Sequence, residues 1–242
     1  MLIPRVLRDK LALATTKNMS LDFAPKDVPT QTQREKLIAS MKTTAVSRYN
    51  ASNRLSWQGK FTFAVSTLFS LGLIFIPLMQ LAKAPLRLNG DVLGAIQIFL
   101  AVAILVYSIV IGTARYELRS EQLNDCGDKI KDLIRELRVA EAAAEGELDL
   151  VRETQRRYAT IISDVENHER SDYVLTILRS PDMYELSPEA RLAHWSKYFL
   201  SVLIPYIPSI ALVIIEGILI TDMFGATSIF APYLIGGPRV NG

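Results

Sequence analysis

The chain has 242 residues, of which 50% are hydrophobic and 21% charged, with a formal net charge of +2. Its mean hydropathy is +0.21, high for so charged a chain, which requires that apolar and charged residues be segregated along it. A single cysteine, Cys126, excludes an intramolecular disulfide framework and leaves no partner for a Cys-rich metal site.

Residues 1–60 form a basic arm, with eleven basic and four acidic residues. Met1 to Asn18 carries Arg5, Arg8 and Lys10 but no continuous apolar core and no small-residue cleavage site, so it does not read as a secretory signal, and the first apolar block is the expected targeting signal. Residues 19–33 are rich in Pro, Thr, Gln and Asp and read as a loop. Helix resumes near Gln33, where Leu37, Met41, Val46, Tyr49, Leu55 and Trp57 give a rough apolar stripe that runs toward the first apolar block.

Three apolar blocks follow along the chain: Phe61 to Ala82, Val92 to Thr113 and Phe199 to Ile220, charge-free except for Glu216. A helix of that length rises about 33 Å, enough to cross a hydrocarbon core about 30 Å thick. Lys42, Arg48, Arg54, Lys60, Arg115, Arg119, Lys129, Lys131, Arg179, Arg191 and Lys197 flank one side of these blocks, against Lys83, Arg87 and Arg239 on the other. That asymmetry predicts a cytoplasmic N-terminus and a short external link over 83–91. The third block contains Pro205 and Pro208, so it either spans or re-enters.

Residues 114–197 are acidic on balance, with eighteen acidic and thirteen basic residues. Leu123, Cys126, Ile130, Leu133, Leu137 and Ala140 follow alternating steps of three and four, and Val151, Thr154, Tyr158, Ile161 and Val165 repeat them after Glu145-Gly146. Two short seams predict an antiparallel helical hairpin or a coiled-coil stalk. A short helix is expected over Asp172 to Arg179, and Ser187-Pro188-Glu189 marks another helix start.

The predicted architecture is an all-α membrane protein with two to three transmembrane helices and a cytoplasmic helical hairpin or coiled-coil domain. Its segments are the arm and helix over 1–60, a transmembrane hairpin over 61–113, the helical domain over 114–197, and a third transmembrane segment and tail over 198–242.

Chemistry has few carriers here. His168, in Glu166-Asn167-His168-Glu169, lacks a second histidine at ligand spacing, His194 sits beside Trp195 as an interfacial anchor would, and Cys126 lies on an apolar seam. No phosphate loop, nucleophile elbow or paired-metal pattern is present. The expectation is a protein that is not an enzyme, with no catalytic, cofactor-binding or metal residues, no cofactor, and no direct nucleic-acid binding. Within the membrane blocks the candidate pore or packing residues are Ser66, Ser70, Gln97, Ser108, Gly112, Pro205, Pro208 and Glu216. Ser66/Ser70 and Ser108/Gly112 are small pairs one turn apart that permit close helix contact, and an intramembrane carboxylate is a functional candidate in its own right.

Several stretches resemble the SLATT group of bacterial two-transmembrane effector domains, nearest to its branch beside reverse transcriptases. They are Ser47 through Leu55 before the first block, Arg115 through Leu123 followed by Cys126 after the second, and Tyr158 through Glu166-Asn167-His168, within a likeness over roughly residues 35–200. The resemblance implies an effector of antiviral defence in the bacterial inner membrane. It would be kept quiet by a sensing partner, such as a reverse transcriptase or a nucleotide-signalling system, and would form pores or disrupt the bilayer, as a homo-oligomer, when released. It also implies a core of two membrane helices, with the block at 199–220 as an addition. The other reading of the same residues is a membrane-anchored helical adaptor that recruits a cytoplasmic partner.

Overall fold

The computed structural model describes residues 32–140, 147–230 and 232. The arm and loop before residue 32, the Glu145-Gly146 break and Arg239 lie outside the described residues. Every element within them is helical: α1 Gln33–Leu81, α2 Gly90–Ala114, α3 Tyr116–Val139, α4 Glu147–Ser163, α5 Arg170–Leu178, α6 Pro188–Leu203, a 3-10 turn Ile204–Tyr206, and α7 Ile207–Phe224.

The helix ends follow local chemistry. At the start of α1 the Glu35 amide donates to Thr32 Oγ1 at 3.2 Å while the Thr32 amide donates to Glu35 Oε2 at 2.9 Å, a reciprocal cap that satisfies two amides the helix itself cannot. Asn89 accepts from the Asp91 amide to begin α2, and Ser187 accepts from the Ala190 amide at 3.2 Å with Pro188 as the first residue of α6. Arg115, at φ 47°, is a one-residue left-handed break between α2 and α3.

The described residues form two compact units, one of 32–57 with those within 116–204, the other of 58–115 with those from 205 on. In the first unit, α4 folds back on α3, so the two seams make a hairpin within one chain. The pairs Cys126 with Ile161 and Glu136 with Arg157 run in opposite senses along the two helices. The early part of α1 lies in the same core, where Met41 and Ala45 pack with Cys126, Ile130, Leu133 and Leu137. A three-helix arrangement buries a wider apolar face than a two-helix stalk, which explains why Met41 and Ile130 are both wholly buried. A satellite core of Val174, Ile177, Leu178 and Tyr184 carries Trp195 against it.

The second unit holds the apolar parts of the helices. Gln33–Leu81, Gly90–Val139 and Pro188–Phe224 are each long and apolar enough to cross a membrane. Phe63, Leu71, Ile98, Phe99 and Leu105 are exposed on their outer faces, as lipid-facing residues are, while Ile76, Leu88, Leu93, Leu100 and Met223 form the inner core. The helix carrying the third apolar stretch, α7, continues to Phe224, four residues past the end of the apolar block at Ile220, and stops where Gly225 takes φ 76°. That left-handed value suits glycine as the residue closing a helix.

Candidate functional site

Two polar clusters stand out, one in each unit. In the first, the stretch Ser47 to Leu55 turns its polar side chains inward onto α5. Ser47 shares a hydrogen with Thr176 at 2.9 Å, and Asn50 Nδ2 donates to Thr176 Oγ1 at 3.0 Å and to the Asp172 carbonyl at 3.2 Å. Arg54 donates through Nε and Nη2 to both oxygens of Asp172, and its Nη1 lies 3.3 Å from Glu169. Burial works against the Arg54 cation. The hydrogen bonds and charge of Asp172, with Glu169 and Glu166 behind them, outweigh that and hold its pKa above the usual arginine value.

Arg48, also buried, donates to the Glu166 carbonyl, while Arg119 grips the Glu166 carboxylate at 2.8 and 3.0 Å. His168 is pushed below the usual histidine range by burial and by the nearby Arg48 cation. Cys126 donates weakly to the Ile161 carbonyl at 3.7 Å, and burial pushes its thiol up, so it is a packing residue with little thiolate character. Burial and the hydrogen bond to Asp128 push the Tyr49 phenol up. This cluster is a polar clasp among helices. Among the described residues no group of acidic, histidine or cysteine side chains could hold a metal ion.

The second cluster lies inside the unit formed by the apolar helices. Ser209, Glu216 and Met223 recur every seven residues along α7, and all three are buried. Ser209 shares a hydrogen with the Tyr107 hydroxyl of α2 at 2.9 Å. Glu216 is 3% exposed and its carboxyl group lies on Gly72 of α1, where a methyl group would stand 2.6 Å from Cδ. In the last turn of α7, Asp222 accepts from Thr227 Oγ1 and from the amides of Ile229 and Phe230, which lie beyond the helix. The Arg87 amide of the 82–89 link donates to the Met223 carbonyl at 3.0 Å, which ties that link to the end of α7.

The candidates from sequence fall on different faces. Ser70 bonds the carbonyl of Ser66 on its own helix, and Ser70, Ser108 and Gly112 are all on faces the chain leaves uncovered. Gln97 lines an apolar groove of about 520 Å³ with Leu73, Pro77 and Ala101, and its Nε2 is buried there without a hydrogen-bond partner. Pro205 sits in the 3-10 turn and Pro208 in the first turn of α7, so the two prolines mark a joint between two helices. The structure therefore brings none of the small pairs together, while it encloses Glu216. Gly72, Tyr107, Asp172 and Asp222 were not read from sequence. A lone glycine within an apolar run and an aspartate near a helix end carry no pattern until a partner helix supplies the other half.

Residues 30–221 match the family described as SMODS and SLOG-associating 2TM effector domain family 5. The chain belongs to this family. No curated protein and no solved structure matches it. As a member of the SLATT families it is an all-α membrane protein with an effector domain of the kind found in defence systems. The matched region runs to residue 221 and so takes in most of α7, which places the third apolar helix within the SLATT region where the sequence resemblance implied an addition.

Proposed function

We propose that this SLATT protein is a membrane effector of bacterial antiviral defence that permeabilises the inner membrane when a sensing partner releases it. The observation that carries the reading is membership of a two-transmembrane effector family. Supporting it is the set of small and polar side chains, Gln97, Ser108 and Gly112, on α2 surfaces that one chain leaves open or half-open. In this reading several copies assemble in the bilayer through those surfaces, because a polar amide in hydrocarbon is stabilised by a partner on another helix. The N-terminus is cytoplasmic, from the excess of lysine and arginine on that side. The partner is a reverse transcriptase or a nucleotide-signalling system.

The test is induced expression in bacteria carrying a potential-sensitive dye and an impermeant DNA stain, alone and with a reverse transcriptase or nucleotide-signalling protein co-expressed as the sensing partner, alongside Gln97→Leu. Rapid depolarisation that Gln97→Leu weakens is the expected result. An intact potential with the chain in the membrane and the sensor present would replace this reading with the adaptor, in which the helices only hold the 116–204 helices at the membrane.

A further inference from the structure

Glu216 is the sole acid or base in the three apolar blocks apart from the phenols of Tyr107 and Tyr206. It is 3% exposed, and its Oε1 has no hydrogen-bond partner. Facing it from α1 is Gly72. An added Cβ there would stand 2.6 Å from Cδ and 3.3 Å from Cγ of Glu216, so the absence of a side chain makes the notch that admits the carboxyl. One heptad earlier on the same face, Ser209 is satisfied by Tyr107, whereas Glu216 has no such neighbour.

The charges around it supply no counter-ion. Between Lys60 and Lys83 the α1 stretch has no ionisable side chain, and between Asp91 and Arg115 the α2 stretch has only Tyr107, whose hydroxyl is engaged by Ser209. On α7 itself the nearest acid is Asp222, already held by Thr227 and two backbone amides. A carboxylate accepts hydrogen bonds and donates none, and in hydrocarbon it needs a cation or water. A proton converts it into a neutral group that also donates.

We propose that Glu216 is a proton-binding site inside the membrane, and that the bound proton keeps α7 seated on the Gly72 notch of α1. Release of that proton to water leaves a carboxylate in an apolar notch, and the carboxyl leaves the notch to regain hydration. This property belongs to a single chain and is independent of whether copies form a pore.

The experiment uses the full chain in liposomes of neutral lipid, treated with dicyclohexylcarbodiimide, which joins a protonated carboxyl in apolar surroundings to give a stable N-acylurea. Peptide mass spectrometry then locates the adduct. The expected adduct is on Glu216 and not on Asp222, with a yield that falls about tenfold per pH unit above its midpoint, as a single titrating group requires. Seating is read separately in a Cys126→Ala background by a short thiol cross-linker between Phe75→Cys and Phe224→Cys, whose native rings lie 5.9 Å apart. Cross-linking at low relative to high pH should be several-fold greater with Glu216 than with Glu216→Gln, which shares the thiol chemistry and lacks the titration. An unmodified Glu216, a yield flat with pH, or equal cross-linking ratios for the two chains would each overturn the proposal.

Discussion

Arg54 and Asp172 meet as a two-point ion pair, Nε to Oδ1 at 2.9 Å and Nη2 to Oδ2 at 3.0 Å, with Asp172 only 1% exposed. The same carboxylate also accepts from the Glu169 amide at 2.9 Å, so one side chain both caps α5 and anchors α1 to it. Replacing Arg54 with methionine leaves that buried carboxylate without its counter-charge. The expected loss is about 3–5 kcal/mol of stability, as for other broken buried pairs. Denaturant unfolding of the full chain in detergent, followed by far-ultraviolet circular dichroism, checks it, and Arg54→Lys should recover only part because an ammonium cannot engage both oxygens in the same plane.

The His168 imidazole gives stability a pH dependence of definite sign. Burial and the Arg48 cation lower its pKa in the fold, so the unfolded chain binds the proton more readily. The contribution is complete above the unfolded value of about 6.5 and is lost as pH falls through and below it. The melting temperature of the wild-type chain should drop between about pH 7.5 and about pH 5 more steeply than that of His168→Phe. Equal slopes would show that His168 is not the source.

Gly72 and Glu216 should behave as a coupled pair. Gly72→Ala places a methyl group where the carboxyl lies, and overpacking of that kind costs about 1–3 kcal/mol. Shortening the partner with Glu216→Ala removes the obstruction, so the double variant should lose less than the sum of the two single changes. Resistance to unfolding in mixed detergent across the four chains gives the cycle, and strict additivity would separate the two residues.

Gln97→Leu should leave the folded chain as stable as wild type or more so, since the amide Nε2 has no partner to lose. Melting temperature measures that half of the effect, and dye leakage from cells measures the other, where a fall is expected if the amide works between copies.

The apolar blocks were readable because length and charge exclusion need no partner: α2 begins at Gly90 and ends at Ala114, within two residues of the block expected. The seams of α3 and α4 were readable from heptad steps, but those steps fit a hairpin and an intermolecular stalk equally well, and the antiparallel contacts of Cys126 with Ile161 and Glu136 with Arg157 decide for the hairpin. Glu216 was visible as a charge in an apolar stretch. The apolar block ends at Ile220, whereas the helix runs on to Phe224, so Glu216 lies two turns from the helix end. The clasp around Asp172 was not legible, since Ser47, Asn50 and Arg54 stood out only through a family resemblance and Thr176 not at all until α5 is laid against them. Polar contacts between helices distant in sequence leave no periodic trace in either one.

The seclusion of Cys126 makes the protein almost blank to aqueous thiol reagents. The residue is 1% exposed, its thiol is turned to the Ile161 carbonyl and short of thiolate, and it is the only cysteine in the sequence. A cysteine introduced at Lys83 on the link, or at Arg152 on the surface of α4, would thus report its own side of the bilayer to a membrane-impermeant maleimide with little background, and the chain's orientation becomes a question answerable in intact cells without first rebuilding its core.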